Sequence, residues 1–347
     1  MSVITPEPRR GAHAAPAAPA PAMASESAPP RGYSVFFGDV AIDEYYIAPY
    51  FPAGGDKVSV ETLDEQFGGM CANAASIFAH YGIPTSFMSQ LNSRALTQRL
   101  LKDLTDSGIS TKHVIFDESV PDSKCIILLS GDQHIVIIPD LGITHTEITP
   151  EAFEHMANAE FLFTSQTDSM PFRMGEKGAQ EIFRDLSARG VKIVIDLDVY
   201  HLENHPSGLI EYCDILFMNS LGYERFTESG NDVQWLLNNR TTAIVVTKDS
   251  EGCDLYTRDG IESIPGYPVE PVDVTGAGDT FSSSFLYAYS TTNNLADAAR
   301  FANAAAALSI GMVGGRAGKT DAATVHAFLA EQSERLELAI PSTHTAQ

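Results

Sequence analysis

The sequence has few cysteines and no long hydrophobic run. Cys71, Cys125, Cys213 and Cys253 are widely spaced and form no CxxC pair, which argues against a structural zinc site or a disulfide framework and predicts reduced thiols. No apolar stretch approaches the roughly 18 residues that a membrane-spanning helix needs. We therefore expect a cytoplasmic protein with no membrane partner.

Basic residues are also scarce. The chain of 347 residues carries 22 Lys and Arg against 45 Asp and Glu, so its formal net charge is −23. Proteins that bind nucleic acids need clustered positive charge to contact the phosphates, and we therefore expect no nucleic-acid partner. The negative charge does not exclude a phosphorylated ligand, because a few backbone N–H groups can hold one phosphate locally.

The two ends of the chain differ from its centre. Residues 1–32 contain nine Ala and seven Pro and no apolar periodicity, a composition that predicts a disordered tail. We predict one domain over 33–335 and a short C-terminal tail over 336–347.

Within this domain, apolar strand-like runs alternate with helical stretches. Strands with both faces apolar, separated by helices, predict a mostly parallel sheet covered by helices on both sides. The fold class is thus α/β, a three-layer α/β/α sandwich, and an eight-stranded barrel is disfavoured by the irregular strand spacing. The predicted strands are 33–42, 85–91, 125–130, 134–139, 160–165, 191–198, 214–219 and 242–249; the predicted helices are 71–82, 94–107, 176–189, 231–239 and one after Thr149-Pro150.

Two segments interrupt this alternation. Residues 45–66 contain no convincing helix, and 120–138 is typical of two antiparallel strands. Extra β segments of this kind form either a small sheet over the ligand crevice, here called the lid, or an extension of the main sheet's edge.

The stretch DVTGAGDTF, residues 273–281, indicates chemistry. Gly276, Ala277 and Gly278 immediately precede an apolar helical run. A Gly-rich helix N-terminus offers free N–H groups and the positive end of the helix dipole, and these can hold a phosphate or an oxyanion. Asp279 lies in the same first turn, where it can accept a proton from a bound hydroxyl or merely stabilise the helix start.

The same stretch resembles the D-T-x-G-A-G-D signature of the ribokinase/PfkB-type carbohydrate kinases, with Val274 in place of the usual Thr. The resemblance extends from about Tyr33 to Leu329. It is carried by three more stretches in the family's order: FGDVAIDEYY (37–46), FGGMCANAASIFAHYG (67–82) and FANAAAALSI (301–310) with the following GGRAG (314–318).

The resemblance implies a ribokinase-like fold and transfer of the γ-phosphate of ATP to a sugar hydroxyl, with Asp279 as the base and the Gly276–Gly278 loop as the anion hole. Mg²⁺ is expected with the nucleotide, and K⁺ or another monovalent cation at Asp273 and Thr275. The implied substrate-binding residues are Asp43, Gly68, Gly69, Asn73 and Gln166; the implied nucleotide-binding residues are Asn219, Thr247, Gly252, Gly276, Gly278 and Asn303.

The sequence departs from the family pattern at two places. Where the family has N-x-x-E, Asn219 is followed by Gly222, and Glu224 is the nearest acid that could order Mg²⁺. Where a Gly is expected in the strand-end loop, the sequence has Asp249, whose carboxylate would repel ATP phosphates unless it turns away.

Other polar residues admit two interpretations each. His201, Glu203 and His205 have the composition of a metal site, but their loop context favours a surface role. Asp196 and Asp198 end a strand where ligands often bind. Arg316 either holds an anionic group of the substrate or pairs with an acid of the protein.

The sequence predicts a sugar kinase with a small-molecule substrate. One alternative is a nucleoside kinase of the same family, because Tyr45, Tyr46, Tyr50 and Phe51 in the lid could stack on a base. The other is an idle sugar-binding regulator, although an intact Asp279 argues against it. A homodimer formed through the lid is a further expectation, because the lid would expose edge strands.

Overall fold

The computed structural model describes residues 32–131, 133–198, 208–312 and 314–339. The predicted terminal tails lie outside these ranges, apart from Gly32 and the end of the last helix, which runs to Ala339 and so continues into the predicted C-terminal tail. Within these ranges no helix combines the length and the apolar character that a membrane crossing requires.

The described residues form eighteen strands, ten α-helices and two short 3-10 helices. The strands are β1 (Ser34–Phe37), β2 (Ala41–Ile47), β3 (Glu61–Thr62), β4 (Gln66–Gly68), β5 (Thr85–Met88), β6 (Gln90–Leu91), β7 (Ile115–Phe116), β8 (Lys124–Ser130), β9 (Gln133–Ile137), β10 (Thr146–Glu147), β11 (Phe161–Ser165), β12 (Phe172–Met174), β13 (Lys177–Gly178), β14 (Lys192–Asp196), β15 (Ile215–Asn219), β16 (Ala243–Thr247), β17 (Gly252–Thr257) and β18 (Gly260–Pro265). The α-helices are α1 (Met70–His80), α2 (Ala95–Asp106), α3 (Pro150–Ala157), α4 (Gln166–Ser169), α5 (Ala179–Ala188), α6 (Ser220–Glu228), α7 (Val233–Asn239), α8 (Ala277–Thr292), α9 (Leu295–Ser309) and α10 (Ala322–Ala339), and the 3-10 helices are Leu209–Tyr212 and Asp249–Glu251.

The main sheet has eight strands in the order β18-β17-β16-β15-β14-β11-β1-β5. The six strands from β16 to β5 are parallel to one another, whereas β17 and β18 add an antiparallel hairpin at one edge. This arrangement confirms the predicted mostly parallel sheet.

Helices cover both faces of this sheet. Phe36 of β1 packs in a core cluster with residues of α1, α2, α8, α9 and α10. Its neighbours Val35 and Phe37 point to the opposite face, into a cluster with residues of α3, α5, α6 and α7. Alternate residues of a strand face opposite sides of a sheet, so a continuous apolar run builds both cores and the predicted three-layer sandwich is confirmed.

A second sheet, the lid sheet, consists of β3, β2, β8 and β9 in that order, with β4 also paired to β2. It begins at Ala41, inside the predicted strand 33–42, so that prediction of one strand is wrong. The Asp39 carboxylate accepts N–H bonds from Met70 and Cys71 at 3.0 and 2.9 Å. These bonds hold the chain where it leaves the main sheet after Phe37 and enters the lid sheet.

Candidate active site

The carboxyl ends of the parallel strands meet along one edge of the main sheet, where open α/β sheets bind their ligands. Polar residues end or follow five of these strands: Asp39 after β1, Gln166 after β11, Asp196 at the end of β14, Asn219 at the end of β15 and Thr247 at the end of β16. The lid sheet continues the chain directly from the end of β1 and so adjoins this edge of the main sheet; the region where the two sheets meet is here called the cleft.

The Gly-rich loop forms the N-terminus of α8. Gly276 is the N-cap residue with φ 76°, and a Cβ atom there would lie 2.6 Å from the Cα of Gly315, so only glycine fits this left-handed position. Helix geometry leaves the first-turn N–H groups of Gly278 and Asp279 without an intrahelical carbonyl. A Cβ atom on Gly278 would meet nothing within 4 Å, so a ligand has room to approach these groups.

Asp279 is hydrogen bonded to Asn73, one of the substrate-binding residues expected from the sequence. Asn73 Nδ2 of α1 donates to Asp279 Oδ2 at 2.8 Å, and Arg316 Nε donates to Asn73 Oδ1 at 2.8 Å. The other guanidinium nitrogens of Arg316 bind Asp103 and, at 2.8 Å, the Gly68 carbonyl. This settles the two interpretations of Arg316 in favour of pairing with an acid of the protein.

Close contacts leave no room for a side chain at Gly68 and Gly69, two of the expected substrate-binding residues. A Cβ atom on Gly68 would lie 2.1 Å from Asp43 Oδ2, and one on Gly69 would lie 2.6 Å from Val40 Cα. Asp43 lies in β2 of the lid sheet and is 8% exposed. Burial and, to a smaller extent, the charge of Asp39 raise the pKa of Asp43 to about 6.

Two more carboxylates, Asp39 and Asp168, belong to this end of the cleft and were not predicted from the sequence. The Asp39 N–H donates to the Asp168 carboxylate, and burial followed by the Asp39 charge raises the pKa of Asp168 to about 7. Burial followed by the Asp198 charge raises the pKa of Asp196 to about 7 as well. Asp39 and Asp168 each follow a buried strand within three residues, and an acid directly after an apolar run is the sequence signal that could have found them.

Gln166 lies beside these acids. The sequence predicts that Gln166 ends a strand, but Gln166 begins the short helix α4, for which Ser165 is the N-cap. The Gln166 side chain is 3% exposed, and Asp168 follows it in the same turn. Gln166 therefore lies at the predicted end of the cleft, with Asp168 as its acidic neighbour.

Asp273 links the two loops between which the monovalent cation was predicted. Its carboxylate accepts N–H bonds from Thr275 at 2.9 Å and from Gly314 at 2.8 Å. Partial burial raises the pKa of Asp273, but these backbone bonds outweigh burial, and the pKa lies below its usual value. An ionised carboxylate is therefore present where the loops meet.

The predicted nucleotide residues lie at the β15–β18 end of the sheet. Asn219 is paired in register with Thr247, and its side-chain oxygen caps α6 by accepting from the Gly222 N–H at 2.8 Å. Asn303 Nδ2 donates to the carbonyls of Ile264 and Pro265 at 3.2 and 3.1 Å. The structure thus groups these residues, but it uses both amide side chains to hold helices and strands in place.

Gly252 and Asp249 shape the loop between β16 and β17. Gly252 has φ 98°, and a Cβ atom there would lie 2.2 Å from the Ile264 carbonyl oxygen. Asp249 has φ 48° and an exposed side chain, so it adopts the left-handed backbone that a glycine would adopt more easily. The backbone at 249 therefore suits the glycine that the resemblance implies there, and the Asp249 carboxylate faces solvent.

The structure does not bring Glu224 to the other candidates. Glu224 lies inside α6 with an exposed side chain, and in the described part of the chain no polar contact joins it to the cleft. Asn219 Nδ2 instead donates to Asp198 Oδ1 at 3.2 Å, so Asp198 is the acid beside Asn219. His201, Glu203 and His205 lie outside the described residues.

All four cysteines are buried and unpaired. Cys71 Sγ lies within 4.8 Å of carboxylate oxygens of Asp39 and Asp168, a group of ligand types that can hold a metal ion. However, a Cβ atom on Gly38 would lie 2.3 Å from Cys71 Sγ and 2.8 Å from Asp168 Oδ2. The group is therefore tightly packed around Gly38.

The chain is similar to known kinases over most of its length. Residues 32–322 match the family model described as pfkB family carbohydrate kinase. The ATP-dependent ribose-1-phosphate kinase of Halopiger xanaduensis is 24% identical over 285 residues, which cover 81% of this chain and 92% of that protein. The nucleoside kinase of Methanothermobacter thermautotrophicus is 27% identical over 279 residues, covering 79% and 87%. The structure of Arabidopsis thaliana ribokinase complexed with ribose and ATP has a TM-score of 0.71 at 22% identity and covers 86% of this chain and 98% of that one.

The sandwich with its Gly-rich helix start is thus a ribokinase-type fold. The chain belongs to the pfkB family of carbohydrate kinases, which confirms the resemblance found in the sequence.

Proposed function

We propose that the protein transfers the γ-phosphoryl group of ATP to a hydroxyl of a small sugar or sugar derivative, with Asp279 as the general base. The observation that carries this proposal is the position of the Asp279 carboxylate. It lies in the first turn of a helix whose N–H groups face open space, and it is bound to Asn73 at 2.8 Å.

The residues divide the reaction between them. Asp43 and Asn73 hold the acceptor, and Asp279 takes the proton of its hydroxyl as the oxygen attacks the γ-phosphorus. The bond between the γ-phosphorus and the bridging oxygen breaks, and ADP leaves. The N–H groups of the Gly276–Gly278 loop neutralise charge on the phosphoryl group, and positioning with charge stabilisation supplies most of the acceleration in such transfers.

ATP as co-substrate agrees with ATP-bound structures of the same fold. We place the nucleotide along the β15–β18 end of the main sheet, near Asn219, Thr247, Gly252 and Asn303. Because the amides of Asn219 and Asn303 already bind the protein, they act by shaping this end of the cleft.

Mg²⁺ would enter with ATP and neutralise phosphate charge. Carboxylate oxygens are suitable partners for the hydrated ion, and Asp196 and Asp198 present such groups at the end of β14 and just beyond it. The ionised Asp273, with Thr275, would hold K⁺ where two loops meet. A monovalent ion there would keep the loops together and stabilise the start of α8.

The acceptor end of the cleft favours a substrate without a phosphate or carboxylate. Asp39, Asp43, Asp168 and Asp196 surround it, and the nitrogens of Arg316 are already bound to protein acceptors. Ionised carboxylates repel anions, and carboxylates accept hydrogen bonds from hydroxyl groups. A neutral polyol therefore fits this end better than a sugar phosphate.

A nucleoside is the second candidate acceptor. Tyr45 lies on the same face of β2 as Asp43 and is 6% exposed, so one aromatic ring adjoins the proposed acceptor site. Tyr50 is half exposed and lies beyond the end of β2, so it lacks this connection. Pentoses and nucleosides must therefore be compared directly.

The test is a coupled ADP-release assay with Mg-ATP over pentoses, ketohexoses, sugar acids and nucleosides. We expect acceptor-dependent turnover that falls by about 10³-fold in Asp279→Asn, because a general base contributes about 10²–10⁴-fold. ATP binding and the unfolding temperature of the variant serve as controls. ADP release at the same rate with and without acceptor, and in the wild type and Asp279→Asn, would contradict the proposal. A sugar-dependent rise in the unfolding temperature without turnover would indicate a sugar-binding protein that is not a kinase.

We also propose that the protein dimerises through the lid sheet. Ile126 and Leu128 of β8 pair with Ile137 and Ile135 of β9 and form an apolar outer face opposite Asp43. Ile135 and Ile137 are 42% and 48% exposed, and β9 is the edge of the lid sheet. An exposed apolar edge strand is a template for pairing.

Sedimentation velocity tests the dimer. We expect a dimeric wild type and a monomeric Ile135→Glu/Ile137→Glu variant. Ile261→Glu, on the exposed edge strand β18 of the main sheet, is the matched control and should remain dimeric. A monomeric wild type at micromolar concentration would refute this interface.

A further inference from the structure

Arg316 lies where four elements meet in the half of the cleft that contains the proposed acceptor residues Asp43 and Asn73 and the base Asp279, here called the acceptor half. Its guanidinium binds the Gly68 carbonyl of β4, Asn73 of α1 and Asp103 of α2, and Asn73 in turn binds Asp279 of α8. Arg316 is only 9% exposed, so these contacts occupy it within the protein rather than at its surface.

We propose that Arg316 is a positioning residue that, through the amide of Asn73, holds the Asp279 carboxylate at the start of α8 and determines which atom of Asn73 faces it. The proposal rests on the proposed role of Asp279 as the general base. Arg316 itself touches neither acceptor nor nucleotide in this scheme.

The chemistry of the amide carries the argument. A guanidinium group only donates hydrogen bonds, so the atom of Asn73 that binds Arg316 must be the carbonyl oxygen. The amide nitrogen is then directed at Asp279, where it donates to a carboxylate that can only accept while ionised. Without Arg316 the Asn73 amide is free to rotate, and a carbonyl oxygen facing Asp279 favours the protonated acid, which cannot accept a proton.

The loop that carries Arg316 is packed against the same groups. A Cβ atom on Gly315 would lie 2.9 Å from Asn73 Nδ2, and the Cβ atom of a non-glycine residue at 276 would meet Gly315. Gly314 donates its N–H to Asp273 at 2.8 Å. The contacts of Gly314 and Gly315 therefore fix the position of Arg316 relative to α1 and α8. A shift of this loop would displace the Asp279 carboxylate.

Charge acts in the same direction as geometry. Burial, together with the charges of Asp196, Asp39 and Asp198, raises the pKa of Asp279 well above its usual value, whereas the hydrogen bond from Asn73 lowers it. The Asp279 charge stabilises the charged form of Arg316, and by reciprocity Arg316 stabilises ionised Asp279. Loss of the Arg316 charge therefore moves the titration of Asp279 to higher pH.

The experiment measures kcat/KM against pH for the wild type, Arg316→Gln and Arg316→Lys. For Arg316→Gln we expect kcat/KM to fall by about 10²-fold, as for a misplaced catalytic group, with the acid limb displaced to higher pH. The KM for ATP should change by less than about twofold, because the loss concerns the acceptor half. Arg316→Lys should keep the acid limb near the wild-type position but remain slow, because an ammonium group cannot reproduce the guanidinium fork.

Arg240→Gln is the matched control. Arg240 also pairs with a carboxylate, Asp214 at 2.8 Å, and binds the Tyr212 carbonyl at 2.9 Å, but it lies at the opposite edge of the main sheet. Its loss should lower the unfolding temperature without moving the pH profile. Asn73→Ala/Arg316→Gln should be no slower than the slower single variant, because Arg316 acts through Asn73.

A readout without turnover separates this inference from the proposed function. In carbon-13 spectra of aspartate-labelled protein, with the Asp279 carboxyl signal assigned by Asp279→Asn, we expect a higher titration midpoint in Arg316→Gln than in the wild type and Arg240→Gln. If no acceptor is phosphorylated, the proposed function fails, and this midpoint alone decides the inference. Unchanged midpoints and pH profiles would overturn it. If Arg316→Gln does not fold, Arg316→Lys with a wild-type rate would overturn it as well.

Discussion

The acceptor half of the cleft and its nucleotide half, which is the β15–β18 end of the main sheet, are held together by different kinds of hydrogen bond. In the acceptor half, polar side chains bind one another: Arg316 binds Asn73, and Asn73 binds Asp279. In the nucleotide half, most of these bonds go to the backbone: Asn219 Oδ1 caps α6, and Asn303 holds the end of β18, although Asn219 Nδ2 also donates to Asp198.

This difference separates two kinds of function. A network of side chains fixes the ionisation and position of each member, so a substitution there changes turnover as well as the free energy of unfolding. Side chains that bind the backbone stabilise a shape, so a substitution there changes the free energy of unfolding first. We therefore expect the acceptor half to determine chemistry and the nucleotide half to present a preformed surface.

The start of α8 belongs to both halves, and its substitution should have the largest effect. Gly276→Ala introduces a Cβ atom 2.6 Å from Gly315 at φ 76°. We expect it to lower the free energy of unfolding by about 1–3 kcal/mol, as for other residues forced into a left-handed conformation. Since the base follows three residues later, kcat should fall by about 10²-fold or more. Chemical denaturation and the ADP-release assay measure the two quantities.

Gly278→Ala separates strain from ligand contact. A Cβ atom on Gly278 meets nothing within 4 Å, and alanine is the better helix former, so this variant should keep wild-type stability. Its methyl group nevertheless fills the space in which we place the phosphoryl group, so its kcat should still fall. Wild-type kcat in Gly278→Ala would show that the phosphoryl group lies elsewhere.

The fold could be predicted from the sequence wherever local pattern and burial agree. The apolar runs at 160–165, 191–198 and 214–219 correspond to β11, β14 and β15, because strands buried on both faces need continuous apolar residues. The break after β1 could not be predicted in this way. Asp39 directs the chain out of the main sheet by accepting N–H bonds from residues more than thirty positions away.

The candidate site shows the same limit. The grouping of Asp279 with Asn73 follows from motifs, although they are 206 positions apart and the contact itself is a finding of the structure. The role of Arg316 was undecided in the sequence, because its partner Asp103 lies on an amphipathic helix with no motif. Glu224 was selected by proximity to Asn219 along the chain, but helix geometry places its side chain in solvent.

The smallest effect on turnover is expected for Asn219→Ala. The variant removes the N-cap of α6, where Asn219 Oδ1 accepts from Gly222 at 2.8 Å, and such a loss costs about 1 kcal/mol of stability. The KM for ATP should rise by less than about threefold, because the substitution alters the shape of the nucleotide half without removing a direct contact with ATP. Denaturant titration and initial rates at varied ATP provide both numbers.

Asn219→Ser and Asp232→Ala complete this comparison. Serine is also a good N-cap residue, so Asn219→Ser should recover most of the lost stability. Asp232 caps α7 by accepting from the Trp235 N–H at 2.9 Å, away from the strand ends, and its loss should reduce stability alone. If the KM for ATP rises more than about tenfold in both Asn219 variants, Asn219 binds the nucleotide or its Mg²⁺ directly, and the nucleotide half would then depend on side-chain contacts as the acceptor half does.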